Sequence, residues 1–255
     1  MKGHGSTLRW IGVLLGAAGA TTLAQPPSTP APTPPATEPV ASAPPLDPTL
    51  RARLEDIDRR AQDHADLRAE FEQRKHTPLL RRPIVSSGTV KARKGVALWE
   101  TTKPRPTTMR IDEREIAIYD PAEKAMEVFP ADEGVRKLAA TPQPSLGSVL
   151  EQFDVVEVPA ADLDPAAKGE LVALSMTPRD EALRRRVARV RVLLDVARAL
   201  CLRMEITDAE GDRTEIAFKK IEVGVGLTDE SLALVVSRGT AISRPLDGLA
   251  PGGGR

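Results

Sequence analysis

The sequence has 255 residues, with 36 basic and 36 acidic side chains, 41% hydrophobic residues and one cysteine. A formal charge of zero argues against a nucleic-acid-binding protein, which needs a net basic surface, and a single cysteine excludes an internal disulfide framework or a cysteine-cluster metal site. Aromatic residues make up only 3% of the chain, so we expect a mostly aliphatic core.

The first 24 residues have the order of a secretory signal peptide. Lys2 and Arg9 precede a short apolar run over residues 10–18, and small residues precede a cut after Ala24. An uncleaved anchor is the alternative, but the run is short and rich in glycine for a membrane span. We therefore predict a signal peptide over residues 1–24 and export of the mature chain.

The next block, residues 25–47, is rich in proline, alanine, serine and threonine. Proline lacks an amide donor and favours extended polyproline II structure, so this block is not expected to join a helix or sheet. We predict a disordered linker, either a semi-rigid spacer or a plain tail, ahead of one folded domain over residues 48–250.

A helix is predicted to open the folded domain. Asp47 offers a capping side chain, and Pro48 suits the first helical position. Apolar residues then recur near helical spacing, and Pro78 marks a stop, so the helix is expected to run to about Lys75. The apolar stripe comprises Leu50, Leu54, Ile57, Ala61, Ala65 and Phe71.

Short strand signals separated by turn residues fill most of the remaining sequence, and one helical window over residues 145–153 interrupts them. This spacing indicates antiparallel meanders. A long sheet with one apolar face is expected to curl and to cover that face with the helices, which gives an α+β fold. The predicted strands are 83–90, 95–102, 107–111, 115–119, 125–129, 170–176, 187–194, 200–207, 213–221 and 232–236.

Catalytic and metal-binding patterns are nearly absent from the sequence. The mature chain has two histidines, His64 and His76, in a charged segment, and no GxSxG, HExxH or CxxC motif. Cys201 is expected on the polar face of a strand as an inert thiol. We predict no enzymatic activity, no metal and no cofactor, and these absences disfavour the alternative of a secreted hydrolase.

The densest basic run lies at residues 184–191. Arg189 and Arg191 alternate with Val190 and Val192, so their side chains are expected to project from one side of a strand. We interpret them as part of the solvated face of the sheet. Docking to acidic lipid head groups or to a membrane-attached partner is the alternative interpretation.

Several short motifs follow one another between about residue 50 and residue 245. They are Phe71-Glu72-Gln73, Gly88-Thr89-Val90, Leu98-Trp99-Glu100, Lys103-Pro104, Ile118-Tyr119-Asp120-Pro121, Leu174-Ser175-Met176-Thr177-Pro178 and the hairpin from Ile206 to Phe218. In this order they resemble the LolA-like family of outer-membrane lipoprotein carriers. The resemblance implies a curled, incomplete antiparallel β-barrel, covered by an N-terminal helix and a short lid helix.

The resemblance also implies a function. A LolA-like protein would be a periplasmic carrier that binds lipoprotein acyl chains in a hydrophobic cavity, receives them from an inner-membrane ABC transporter and passes them to an outer-membrane acceptor. We expect a monomer. An RseB-like lipid-sensing module that binds a membrane partner is the alternative.

The residues expected to serve this function form two groups. At the cavity mouth, Lys103 stands where the family has an arginine that contacts the lid, and Arg105 is a candidate substitute. Ordinary core packing is the alternative to a cavity. The predicted lining is Trp99, Met109, Ile111, Ile116, Ile118, Met126, Val128, Val190, Val192, Leu202 and Met204, with Leu146, Val149, Leu150 and Phe153 on the lid.

Overall fold

A twelve-stranded sheet dominates the computed structural model, which describes residues 46–131 and 146–245. The predicted signal peptide and nearly all of the predicted linker lie outside these ranges, as do residues 246–250 of the predicted domain. The described helices are α1 (Pro48–Gln62), α2 (Leu146–Gln152) and α3 (Glu181–Arg184). The strands are β1 (Asp66–His76), β2 (Ile84–Arg93), β3 (Val96–Lys103), β4 (Thr107–Ile111), β5 (Glu115–Asp120), β6 (Ala125–Pro130), β7 (Phe153–Val158), β8 (Leu171–Pro178), β9 (Val187–Asp195), β10 (Leu200–Asp208), β11 (Arg213–Val223) and β12 (Ala241–Ser243).

The sheet consists of two antiparallel meanders that meet in the middle. Its strand order is β12-β6-β5-β4-β3-β2-β1-β11-β10-β9-β8-β7, so β1 to β6 form one meander, β7 to β11 form the other, and pairing of β1 with β11 joins them. The two edges, β12 and β7, do not pair with each other. The predicted fold class is therefore confirmed: the sheet is antiparallel apart from β12, unclosed, and packed against a few helices.

The N-terminal helix begins as predicted but ends early. The Asp47 side chain accepts hydrogen bonds from the backbone amides of Thr49 and Leu50, and Pro48 occupies the first turn. The prediction that this helix runs to Lys75 is wrong, because residues 66–76 form β1 and pair with both β2 and β11. Leu67, Ala69 and Phe71 are buried at the period of two that a strand requires.

Most of the other strand predictions are confirmed, with ends within three residues of the observed ones. The prediction of a strand over 232–236 is wrong: this stretch follows a 3-10 turn at Glu230–Leu232, and β12 forms later, in parallel with β6. Strand β7 is not among the predicted strands, and its first residue, Phe153, belongs to the predicted lid helix instead.

The core lies between the helices and one face of the sheet, which we call the inner face. Helix α1 buries Leu50, Leu54, Ile57 and Ala61 against it. Full burial of a leucine or isoleucine side chain stabilises a fold by roughly 1.5–3 kcal/mol, so α1 is a substantial part of the core. No helix in the described ranges has the length and apolar character needed to cross a bilayer.

Candidate functional site

The register of the first meander shows which predicted residues share the inner face. Residues directly opposite one another on antiparallel strands point to the same side. One row contains Ile111 opposite Ile116, and the next contains Trp99 opposite Met109, which is opposite Ile118. All five lie in or against the core that α1 and α2 cover, so the structure brings these predicted lining residues together.

The second meander continues the same apolar face. Val192 lies opposite Met204, and both are buried with Val190. Leu202 lies at a register irregularity and packs, half-buried, against the core. These four predicted residues therefore belong to the same surface as Trp99.

Met126 and Val128 do not lie on the inner face. Met126 is opposite Tyr119 and Val128 is opposite Ala117, which places all four on the other side of the sheet, the outer face. Phe129, opposite Ile116, points inward instead. The expectation that Met126 and Val128 line the inner face is therefore wrong.

The reason for this error is that the outer face is also covered at this end of the sheet. The chain that follows β11 crosses it and buries Leu232. The Arg110 guanidinium donates a hydrogen bond to the carbonyl oxygen of Leu232 at 3.2 Å, and the hydroxyl oxygens of Tyr119 and Ser237 lie 2.8 Å apart. Alternation along β6 marks Met126 and Val128 as covered positions, but the cover lies on the outer face, and Glu127 between them points to the inner face.

Helix α2 and the residue after it carry the predicted lid contacts. Leu146, Val149, Leu150 and Phe153 are all buried in the same core as the inner face. The four predicted lid residues therefore lie against the predicted lining, although Phe153 belongs to β7.

Two polar clamps hold the ends of α2. At its start, the backbone amide of Leu146 donates to Oδ1 of Asp58 on α1 at 2.8 Å. At its end, the Arg179 guanidinium donates to the carbonyl oxygens of Leu150 (3.4 Å) and Glu151 (3.2 Å). The Arg179 Nε also donates to Asp154 at 2.8 Å. Both clamps satisfy backbone groups that a short helix leaves unpaired at its ends.

Lys103 and Arg105 are not part of these clamps. Lys103 ends β3, is exposed, and makes no side-chain hydrogen bond or ion pair within the described ranges. The Arg105 guanidinium pairs with Asp120 at 2.8 Å and Glu123 at 2.9 Å, across the turn between β5 and β6. In the part of the chain that the structure describes, the contacts to α2 come from Asp58 and Arg179 and not from this pair, contrary to the lid contact that the resemblance implied.

An aromatic cluster lies at the centre of the inner face. The ring centroid of Trp99 is 5.0 Å from that of Phe71 and 5.9 Å from that of Phe218. Phe71 was missed as a site residue because it was assigned to the helix, and Phe218 because no motif marks it. The period-two burial of 67, 69 and 71 in β1 and of 214, 216 and 218 in β11 is the signal that identifies both.

Cys201 is buried, in contrast to the polar-face position predicted for it. The pairing of β9 with β10 shifts register between Cys201 and Arg203, which turns the thiol into the protein. Burial raises the pKa of the Cys201 thiol to about 12. A thiol held protonated in this way is a poor nucleophile.

The solvated-face interpretation holds for Arg189, which is exposed, but not for Arg191, whose side chain is only 18% exposed. Val190 and Val192 point to the core, which places Arg189 and Arg191 on the outer face. Arg191 lies opposite Glu205 and donates to its carboxylate at 3.3 Å.

The inner face is occupied by the protein's own helices. Leu54 and Ile57 of α1 are almost completely buried against it, as is Val192 on the sheet. A pocket of about 360 Å³ lies at the edge of the sheet, between the start of α1 and β7, and is lined by Leu46, Leu50, Arg53, Val155, Val156 and Glu157. Among the described residues, an apolar ligand that binds where the side chains of α1 and α2 pack must displace one of these helices.

Comparisons with known proteins place the chain in a family. A model described as "Outer membrane lipoprotein carrier protein LolA" matches residues 63–232, two thirds of the sequence. No curated protein matches this chain. Similar solved structures include an uncharacterized conserved protein from Thermus thermophilus (14% identity, TM-score 0.49, covering 77% of this chain and 99% of that one). A LolA superfamily protein from Nitrosomonas europaea (10%, TM-score 0.41, 72% and 97%) and the Pseudomonas aeruginosa MucA/MucB complex (14%, TM-score 0.42, 72% and 60%) are also similar. On the family match, the chain belongs to the LolA family of outer-membrane lipoprotein carrier proteins.

Proposed function

We propose that this chain is a non-enzymatic periplasmic carrier, which binds the acyl chains of lipoproteins against the inner face of its sheet and takes them from the inner to the outer membrane. The observation that carries the proposal is the position of helix α2, which we propose acts as a lid. A helix of only seven residues, α2, covers part of a continuous apolar face and is held there by polar clamps at its two ends.

The energetics of ligand entry favour this arrangement. If α2 swings away, Leu146, Val149 and Leu150 leave the inner face, and an acyl chain of the same chemistry can take their place. Each methylene moved out of water contributes about 0.8 kcal/mol, so the ligand offsets the contacts that the lid gives up. The remaining barrier is the loss of a few hydrogen bonds to Asp58 and Arg179, each of which contributes about 1 kcal/mol.

The proposed binding surface spans both meanders. Val190, Val192, Leu202 and Met204 extend it across the second meander, and Phe71 and Phe218 join it at the centre. In the first meander it comprises Trp99, Met109, Ile111, Ile116, Ile118 and Phe129.

The proposed cycle takes its partners from the family. An inner-membrane ABC transporter would load the protein, and an outer-membrane acceptor would receive the cargo. Residues 1–24 would direct export and be removed, residues 25–47 would link the mature end to the domain over 48–250, and the carrier would work as a monomer.

The test is a release assay. Purified mature protein is incubated with spheroplasts that make a labelled lipoprotein, and the soluble fraction is assayed for lipoprotein bound to the protein. The expected result is a soluble complex. Its absence, together with binding of free diacyl lipid, would overturn the carrier and support the sensing module.

A pair of variants locates the site. Leu150→Glu puts a carboxylate into the proposed site and should lower release about tenfold or more, because an unpaired charge is costly to bury. Val156→Glu makes the same change at an exposed position on β7, in the edge pocket, and should release normally. Thermal unfolding of both variants separates lost binding from lost folding. The reverse pattern would assign the ligand to the edge pocket and contradict the inner face.

A further inference from the structure

The hairpin formed by β1 and β2 ends in an exposed tip, residues 77–83. No residue of this tip belongs to the proposed carrier site. The tip reads Thr-Pro-Leu-Leu-Arg-Arg-Pro and contains two basic residues and no acidic residue. Leu79 is 79% exposed and Leu80 is 49% exposed. With the exposed Val85, these two leucines form a contiguous apolar patch, and such patches mark sites that contact a partner or a membrane.

The tip projects past the neighbouring strand. Strand β3 follows β2 only as far as the pairing of Ser87 with Lys103, so Ile84, Val85 and Ser86 extend beyond it. Three strand residues at about 3.3 Å each carry the tip about 10 Å past the end of β3. Val85 is also exposed and lies just below the tip.

The base of the tip is held firmly. The Lys75 ammonium lies 3.0 Å from the Asp212 carboxylate, and Lys75 and His76 pair through the backbone with Thr214 and Arg213 of β11. Within the tip, the backbone amide of Leu80 donates to the carbonyl oxygen of Thr77 at 3.0 Å and closes a turn. The leucines are therefore presented on an ordered turn fixed to β11.

The two arginines of the tip are available to a partner. Arg81 and Arg82 are exposed and form no hydrogen bond or ion pair within residues 46–131 and 146–245. By contrast, Lys75 and Arg74 next to the tip are paired with carboxylates. The unneutralised charge of the hairpin is therefore concentrated beside the exposed leucines.

Further basic residues lie at the same end of the sheet. In the strand register, Val187 at the start of β9 lies opposite Asp208 at the end of β10. Strand β11 begins after the next turn, and its first residue, Arg213, lies opposite His76 at the base of the tip. Arg184, Arg185 and Arg186 precede β9 and are exposed. Arg185 pairs with Glu181, and the turn between β10 and β11 carries Asp208, Glu210 and Asp212 at the same end, so the uncompensated basic charge is that of the tip itself.

We propose that the tip over residues 77–83 is a membrane-docking element, which inserts Leu79 and Leu80 into the interfacial region of a bilayer while Arg81 and Arg82 bind anionic lipid phosphates. The combination of insertable apolar side chains and adjacent arginines matches the two attractions that hold peripheral proteins on anionic membranes. A projecting turn has too little area for a stable protein interface, which needs roughly 1,000 Å² or more. This role goes beyond lipid binding at the inner face and does not depend on it.

The test is flotation of the mature protein with protein-free vesicles, one set of phosphatidylcholine and phosphatidylglycerol in equal parts and one of phosphatidylcholine alone. We expect the protein to float with the anionic set, and less with the neutral set. Leu79→Ser with Leu80→Ser, and separately Arg81→Gln with Arg82→Gln, should each lower binding to the anionic vesicles about tenfold. Because the vesicles contain no lipoprotein, the result is independent of carrier activity.

Two control variants make single changes of the same kind elsewhere. Val235→Ser alters an apolar side chain that is 82% exposed on another segment, and Lys94→Gln removes an exposed charge at the opposite end of β2. Both should float like the unaltered protein. A Leu79→Trp variant should show a blue-shifted emission on anionic vesicles, since Trp99 is already buried.

The proposal would be overturned by no flotation with anionic vesicles, by equal flotation of the leucine variant or of the arginine variant, or by an unchanged emission of the Leu79→Trp variant when it is bound. Leucine-dependent binding to native membranes but not to protein-free vesicles would also overturn it, in favour of a membrane-protein partner.

Discussion

Gly88 sets how closely β2 and β3 approach. A Cβ atom at this position would lie 2.0 Å from the carbonyl oxygen of Glu100, far inside contact distance. The obstacle is backbone, so the two strands would have to separate. Trp99 lies next to Glu100 on β3, and its edge-on packing against Phe71 would be disturbed as well.

We therefore expect Gly88→Ala to lower the free energy of unfolding by about 3 kcal/mol, at the upper end of what overpacking usually costs. Urea unfolding followed by the fluorescence of Trp99, the only tryptophan outside the predicted signal peptide, measures the change. Gly147→Ala is the control, because its Cβ would meet Asp58 at an ordinary 3.5 Å. That variant should be as stable as the parent or about 1 kcal/mol more so. Equal losses in both variants would refute the steric argument.

Helix α2 is a short element that is held at both ends by polar side chains of other segments. It has only seven residues, and isolated helices of this length are unstable in water. Its buried side chains and its clamps therefore keep it formed. The clamp from α1 is the Asp58 carboxylate, which accepts from the Leu146 amide as a capping residue would.

Asp58→Ala should loosen α2 without unfolding the sheet. A lost cap costs about 1 kcal/mol, which corresponds to roughly fivefold faster amide hydrogen exchange over residues 146–152. Hydrogen exchange read by mass spectrometry measures this. Asp56→Ala is the matched control, because Asp56 pairs with Arg59 and Arg60 of its own helix. If both variants accelerate α2 equally, loosening of α1 and not the clamp is the cause.

The features that could be predicted from the sequence are those set by residues close together in the chain. The hairpin strands were found because glycine, proline and aspartate turns mark their ends. Strand β1 was not, because its pairing with β2 and β11 is set by segments far away in the sequence, and its Phe71 also fits the apolar stripe of a helix. The inward face of β6 was mistaken because the chain that covers its other face comes about 100 residues later.

Over the whole molecule, several titrating groups link stability to pH in the same direction. Hydrogen bonds from Arg74 and Lys219 lower the pKa of the Glu72 carboxyl. Burial would raise the pKa of Asp112 and of Asp212, but hydrogen bonds from the amides of residues 114 and 115, and from Lys75, outweigh it and lower both pKa values. Burial lowers the pKa of His64. Glu127 is the exception, since burial raises its pKa.

The directions of these pKa shifts predict that the folded protein loses stability in acid. A group whose pKa is lowered by folding contributes stability above its unfolded pKa and loses it as the pH falls. His64 should therefore begin a slight decline near pH 6.5, and the three carboxyls should steepen it below about pH 4. Glu127 opposes this, because its protonation relieves a buried charge.

Urea midpoints measured between neutral and acid pH test the balance. Asp112→Asn should be less stable at neutral pH and lose less on acidification, whereas Glu127→Gln should be more stable at neutral pH and lose more. A midpoint that rises on acidification would mean that Glu127 outweighs the three paired carboxyls.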